Sequence, residues 1–192
     1  MNPLSPGDLA SPFDLAPISG PRVRTGRGPL LIAFLRALGG GNARAAVRAL
    51  NTSFAQFDAD GIGVVGFTRT TPEVANDFVP RHHVLFPIVN DPEGRWFDAY
   101  GVRRDRALLR SLAGLGPAAA RRAITAVWEG RSRPEDPDRL PAYLVLAHDG
   151  TVSYARYGAT IWEQPDVPRL LAEARRAATP GGAARAAAPP RR

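Results

Sequence analysis

The sequence predicts an α/β fold, a sandwich in which a mostly parallel sheet lies between helices on both faces. Apolar runs of strand length alternate with segments whose apolar residues recur at helical spacing, which is typical of this class. The last two apolar runs are separated only by a turn with Asp149-Gly150 at its tip, which predicts a closing antiparallel hairpin. The chain of 192 residues has the length of one domain and can bury a core without a disulfide or a metal.

Three predicted strands each precede a predicted helix in the first hundred residues. The strands are short apolar runs, and the helices place apolar residues on one face. Thr71 followed by Pro72 is a typical helix start. In chain order, the elements are strand 29–36, helix 43–58, strand 62–68, helix 71–82, strand 84–89 and helix 91–100.

An arginine-rich insertion at about 103–139 interrupts this alternation before the hairpin. We expect helical pieces at 107–112 and 117–128 within it, and Trp128 is a candidate for a homodimer surface or a pocket lid. Strands 141–147 and 152–157 and a last helix at 167–178 follow.

The domain that these elements form is predicted to span residues 29–178. Residues 1–28 are rich in Pro, Gly and Ser and indicate a loosely ordered lead-in, and residues 179–192 indicate a disordered tail. The N-terminus has no secretory signal pattern, and no apolar run has the length of a membrane span. We therefore expect a cytoplasmic protein that does not contact a membrane.

The composition excludes several classes of chemistry. The chain has no cysteine, and all of its 25 basic residues are arginine, so it can form neither a thiolate nor a lysine Schiff base. The three histidines (His82, His83 and His148) do not suggest a metal site, and a cation at a helix end fits His82 and His83 better. We expect no metal and no cofactor. Arginine-only basicity with abundant alanine indicates a GC-rich coding bias of a bacterial kind.

The net charge of +7 is a weak indication of an acidic partner. Three arginines lie in the tail, and without the tail the charge falls to +4. No basic strip is interleaved with aromatic residues, which disfavours nucleic acid. A small-molecule ligand or a protein partner is the better expectation.

Three segments in order resemble one known family. FLRALGGGNAR (34–44), FPIVNDPEGRWFDAYGVRR (86–104) and LPAYLVLAHDGTVSYARYG (140–158) are similar to the peroxiredoxin-like AhpC/TSA branch of the thioredoxin-like fold, closest to its SelL-type group, which is related to the prostamide/prostaglandin F synthases. The resemblance implies a thioredoxin-like three-layer α/β/α sandwich, with the helical insertion before the C-terminal β-hairpin and final helix.

The family's active-site motif is present without its sulfur atoms. The family pattern F-x-R-x-x-x-C-x-x-C-R matches Phe34, Arg36 and Arg44, while the two cysteine positions fall on Gly40 and Ala43. In the family, a helix N-terminus activates the thiol by lowering its pKa. Neither peroxidase nor disulfide-exchange activity therefore transfers to this chain.

The candidate site is the loop where those thiols would stand. Free N–H groups at the helix start could bind an anion beside Arg36 and Arg44, or the loop is only a relic. Pro141 resembles the thioredoxin-fold proline that is often cis, and both isomers remain open here. The candidate ligand-binding residues are Arg36, Gly40, Gly41, Asn42, Ala43, Arg44, Leu140, Pro141, Arg103 and Arg104; no catalytic residue is identified.

Two functions fit this loop. The first is a binding or scaffold protein that has lost thiol peroxidase activity and uses the former active-site loop. The alternative is a repurposed, cofactor-independent isomerase or cyclase that acts on a small organic molecule in a biosynthetic pathway. An enclosed apolar cavity of several hundred cubic ångströms near Gly40, Arg44 and Pro141 would favour the enzyme. A loop filled by side chains would favour the binding protein.

Overall fold

A computed structural model describes residues 2–104 and 139–179 of the chain. Several predicted features lie outside the described residues: the helical pieces at 107–112 and 117–128, Trp128 and the tail from residue 180. Most of the predicted insertion lies outside them as well.

The central sheet has five strands, and its arrangement confirms the predicted α/β class. The strands are β3 (Leu30–Phe34), β4 (Gly63–Thr68), β5 (Ile88–Asn90), β6 (Ala142–Leu146) and β7 (Val152–Tyr157), in the order β5-β4-β3-β6-β7. β3, β4 and β5 are parallel, whereas β6 and β7 run antiparallel as the Asp-Gly turn predicts.

Four helices belong to the described part of the chain: α1 (Gly41–Ala59), α2 (Pro72–Arg81), α3 (Arg95–Ala99) and α4 (Val167–Ala178). The start of α3 differs from the prediction, which began at residue 91. The reason is the Asp91 carboxylate, which accepts hydrogen bonds from the N–H groups of Arg95, Trp96 and Phe97 at 2.8–3.2 Å. Asp91 therefore caps the helix from a position four residues before it.

β5 is also shorter than the predicted strand 84–89. The Val84 N–H donates to the Val79 carbonyl, and the Leu85 N–H donates to Asn51 Oδ1. These bonds hold residues 84 and 85 against α1 and α2, so the chain pairs with β4 only from the Pro87 carbonyl onward, which accepts from the Gly66 N–H.

Each face of the sheet carries its own apolar core, because successive side chains of a strand point to opposite faces. Leu31 and Val145 pack with the buried sides of α1, α2 and α4. Ile32 and Phe34 pack on the other face, where α3 contributes Phe97. The sheet therefore lies between two layers, in a three-layer α/β/α sandwich.

The segment before β3 is more tightly attached than the loose lead-in that the composition predicts. It contains a small antiparallel ribbon, β1 (Asp14–Leu15) and β2 (Val23–Arg24). Phe13 is buried against Phe67 and Trp96, and the Gly7 N–H donates to the Val152 carbonyl at the edge strand β7. Burial of an aromatic ring and pairing with a sheet edge compensate for the segment's Pro- and Gly-rich composition.

Within residues 2–104 and 139–179, no helix combines the length and the apolar character that crossing a membrane requires.

Candidate functional site

The loop between β3 and α1 is tied to the adjacent strand β4. The Leu35 N–H donates to the Phe67 carbonyl at 2.8 Å, and the Leu38 N–H donates to the buried Thr70 hydroxyl at 2.8 Å. A second hydroxyl, that of Thr68, lies 2.9 Å from the Thr70 hydroxyl. Sequence analysis missed these two threonines, although a Thr-x-Thr pair at the end of a buried strand is a visible signal.

The two positions that match the family's cysteines lie at the start of α1. Gly40 is the N-cap residue, and no side chain caps the helix there. Ala43 lies in the first turn and is buried. The positive end of the α1 dipole, which would activate a thiol, is therefore present, but no sulfur atom lies there.

Four of the predicted site residues line one small cavity: Arg36, Asn42, Ala43 and Pro141. Its volume is about 10 Å³, which is room for about one water molecule. Ile161 closes it, since the Asn42 side-chain amide donates to the Ile161 carbonyl at 2.9 Å. The space beside the former thiol positions is therefore filled by the protein itself.

The Leu140–Pro141 peptide bond is trans, as are all peptide bonds between described residues. Pro141 reaches the small cavity in this form, whereas Leu140 does not line it. Gly158 faces Pro141 closely: its N–H donates to the Pro141 carbonyl at 2.8 Å, and a Cβ at Gly158 would come within 2.9 Å of the Pro141 ring. Only glycine fits this approach without movement.

The other predicted residues lie around the cavity rather than in it. Arg44 is exposed, and its Nη2 lies 3.7 Å from where a Cβ of Gly41 would stand. Arg103 and Arg104 are exposed, and the Arg103 carbonyl accepts from the Leu140 N–H at 3.1 Å. The predicted set is thus divided between a filled cavity and a basic surface.

A buried arginine that sequence analysis missed connects β6 to α3. Arg139 is 3% exposed; its Nη2 lies 2.6 Å from Asp98 Oδ1, and its Nη1 donates to the Val102 carbonyl at 2.6 Å. Its own carbonyl accepts from Arg36 Nε at 2.9 Å. Arg36 is therefore held as part of the fold's polar framework.

A concentration of positive charge surrounds this framework. Arg69 follows β4 directly, and its Nη2 donates to the Pro92 carbonyl at 3.0 Å. Burial lowers the pKa of Arg69 from its ordinary value, and the like charges of Arg139 and Arg104 lower it further. The guanidinium groups of Arg69, Arg104 and Arg139 therefore lie near one another at this end of the sheet.

Tyr143 is a second residue that sequence analysis missed. It lies on β6 and lines both the small cavity and a larger polar cavity beside α4. Burial raises the pKa of its hydroxyl, and the negative charge of Glu163 raises it further. The hydroxyl therefore stays protonated at neutral pH.

His82 does not fit the predicted role of a cation at a helix end. It caps the C-terminus of α2 and packs on Phe78, with 4.2 Å between the ring centroids. Burial lowers the pKa of His82, and the positive charge of Arg44 lowers it further. Both effects disfavour the charged imidazolium at this helix end. Among the described residues, no three His, Asp or Glu side chains come together as a metal site would need.

The sheet order and the helix after its central strand define a protein of the thioredoxin-like fold class. The model of the AhpC/TSA family matches residues 6–155, and the chain belongs to that family. No curated protein sequence is similar enough to count as a relative.

Solved structures of peroxiredoxins have the same fold. Peroxidoxin BcpB from Mycobacterium tuberculosis is similar at 17% identity with a TM-score of 0.62, covering 88% of this chain and 95% of that one. A peroxiredoxin-like protein from Aquifex aeolicus is similar at 15% identity with a TM-score of 0.66, covering 92% and 90%.

A putative thiol:disulfide interchange protein DsbE from Chlorobium tepidum is similar at 18% identity with a TM-score of 0.60, covering 90% and 99%. At these identities the likeness shows the fold alone. The present chain combines this fold with the absence of cysteine, so it has no thiol of its own for peroxidase chemistry.

Proposed function

We propose that the chain is a non-catalytic binding protein that uses the N-terminal end of α1 to hold an acidic segment of a protein partner. The observation that carries the proposal is the filled cavity beside the former thiol positions. With about 10 Å³ between Arg36, Asn42, Ala43 and Pro141, this cavity has no room for a substrate. Recognition at this end of α1 is then a matter of its outer surface.

The charge of that surface favours an acidic partner. Gly39 and Arg44 are exposed, and Arg44 lies at the positive end of the α1 dipole. Arg44 makes no ion pair with any residue in the described part of the chain. A carboxylate of a partner would therefore meet both a guanidinium and the helix N-terminus.

The alternative, a repurposed isomerase or cyclase at this loop, needs an enclosed apolar cavity of several hundred cubic ångströms. The cavity that joins Asn42 to Pro141 is far smaller. The larger cavity beside α4 is polar and is not lined by Gly40, Arg44 or Pro141. The binding hypothesis is therefore the better supported of the two.

Site-directed crosslinking tests this proposal, and the cysteine-free background makes the labelling specific. A photocrosslinker is attached to Gly39→Cys, where a Cβ meets no atom within 4 Å, and to Ala55→Cys as a control on the exposed side of α1. In an extract of the source organism, we expect one protein with an acidic segment to be captured from position 39 and not from position 55. Unlabelled wild-type protein should compete.

Adding Arg44→Glu to Gly39→Cys should abolish the capture, and high salt should weaken it, because the contact is electrostatic. Equal capture from positions 39 and 55, or capture that Arg44→Glu leaves unchanged, would contradict the proposal.

In parallel, the wild-type protein should consume neither hydrogen peroxide nor an organic hydroperoxide in the presence of dithiothreitol. Measurable turnover would contradict the loss of activity.

A further inference from the structure

A polar cavity lies between β7, the loop after it and the start of α4. Its volume is about 250 Å³, and Tyr143 forms its base. Arg156, Asp166 and Arg169 are exposed around it, so it opens to solvent. Pockets for small molecules have volumes from about 300 Å³ upward, so this cavity suits a ligand of about amino-acid size.

The base of the cavity presents a hydroxyl that bonds to none of the described residues. Tyr143 is 2% exposed, and none of the described residues makes a hydrogen bond with its hydroxyl. The Tyr143 hydroxyl is not one of the enclosed unpaired groups of the described residues, so water or a ligand in the cavity can reach it. A ligand with a hydrogen-bond acceptor could therefore take the place of water at this hydroxyl.

Two of the charged groups around the cavity neutralise each other. Arg156 Nη2 lies 2.6 Å from Glu163 Oε1, and the other carboxylate oxygen of Glu163 accepts from the Ala159 N–H at 2.8 Å. This ion pair and the Ala159 hydrogen bond hold the loop after β7. They leave Asp166 and Arg169 as the charges that face a ligand.

Those remaining charges have opposite signs and are not paired with each other. The Arg169 guanidinium lies over the Tyr154 ring at 5.3 Å, and Arg169 has no carboxylate partner among the described residues. Asp166 uses one oxygen to cap α4, accepting from the Arg169 N–H at 3.2 Å, and its second oxygen is not engaged by that cap. The cavity therefore offers one cation and one anion to the same ligand.

We propose that this cavity binds a small zwitterion of the free α-amino acid class. The ligand carboxylate pairs with Arg169 and accepts a hydrogen bond from the Tyr143 hydroxyl, while its ammonium group pairs with Asp166. This site is independent of the acidic-segment surface at α1, which shares none of these three residues.

The test uses the full chain and the twenty free L-amino acids at about 10 mM in a thermal-shift assay, which detects weak binding. The best amino acid is then measured by calorimetry beside its N-acetyl derivative, which lacks the cation, and its amide, which lacks the anion. We expect both derivatives to bind at least about tenfold more weakly than the free amino acid.

Three variants assign the binding to the cavity. Arg169→Gln should weaken binding by about tenfold or more, and Tyr143→Phe by about three- to tenfold, since each loses one polar contact. Arg176→Gln is the matched control: it is exposed on the same helix, pairs with Glu173, and should change nothing. Circular dichroism confirms that each variant is folded.

The proposal is overturned if no amino acid shifts the melting temperature, if the N-acetyl derivative binds as tightly as the free amino acid, or if Arg169→Gln binds like the wild type. None of these results affects the crosslinking at Gly39, so the two proposals fail separately.

Discussion

Gly40 stands at the point where the helix dipole of α1 and the free N–H groups of its first turn are concentrated. Its backbone is extended, with φ −86° and ψ 152°. A Cβ added there would meet only the Ala37 carbonyl, at 3.4 Å. The position therefore accepts a side chain, and the electrostatic setting that would activate a thiol has survived the loss of the sulfur.

We predict that Gly40→Cys creates a thiol with a lowered pKa. The N-terminus of α1 stabilises the thiolate, so the pKa should lie at least about one unit below the ordinary value of about 8.5. The pH dependence of alkylation by iodoacetamide measures it, because no other thiol competes. Ala55→Cys, exposed in the C-terminal half of α1 and away from the helix N-terminus, is the control; the same pKa at both positions would refute the prediction.

At the scale of elements, the junction between α3 and β6 depends on one buried arginine. Arg139 lies shortly before β6; it binds Asp98 and the Val102 carbonyl, and its guanidinium lies 5.7 Å from the centre of the Phe97 ring. These contacts join two parts of the chain that are 41 residues apart in sequence. They keep β6, and with it Pro141 and Tyr143, against the N-terminal half of the domain.

We predict that Arg139→Met lowers the free energy of unfolding by about 1–3 kcal/mol, because methionine fills the volume but leaves the Val102 carbonyl without its donor. Urea unfolding measures the change. Arg175→Met is the control, since Arg175 pairs with Asp60 at the surface and an exposed pair contributes about 0–1 kcal/mol. If both substitutions lowered the free energy of unfolding equally, the buried contacts of Arg139 would stabilise the fold no more than an exposed ion pair does.

At the scale of the whole molecule, buried tyrosines connect the N-terminal segment to the sheet. The Tyr100 hydroxyl donates to the Ser11 carbonyl at 2.8 Å, and the Tyr157 hydroxyl donates to the Tyr100 carbonyl at 2.7 Å. Burial raises the pKa of Tyr100 and that of Tyr143, and it raises the pKa of Tyr157 to about 12. All three phenols therefore hold their protons more tightly in the folded state than in the unfolded state.

This difference predicts a loss of stability at alkaline pH. The folded pKa values of these tyrosines lie above the unfolded value of about 10. Their contribution to the free energy of unfolding is therefore complete below pH 10, and it decreases as the pH rises toward the folded pKa values. The free energy of unfolding in urea should fall between about pH 10 and 12. Tyr143→Phe should make this fall shallower, and a stability that stays constant over the interval would contradict the prediction.

Much of the fold follows from local sequence patterns. The bounds of α4 and β7 match the prediction at both ends, because an amphipathic helix and a strand after an Asp-Gly turn encode their own limits. The start of α3 and the length of β5 do not follow, because Asp91 and Asn51 set them through hydrogen bonds to other segments. Local periodicity contains no information about such partners.

The features of the candidate site also fall into those that the sequence predicts and those that depend on distant contacts. The sequence by itself determined the class of fold, the loop at Gly40 and Ala43, and the absence of thiol chemistry, since each is a matter of residue identity and short-range order. Only the tertiary structure decided that Asn42 bonds to the Ile161 carbonyl, 119 residues away, and that Arg36 bonds to the Arg139 carbonyl, 103 residues away. Those contacts fill the space beside the former thiol positions and leave the polar cavity above Tyr143. They depend on how β6 and the loop after β7 pack against α1, and no local sequence pattern encodes that packing.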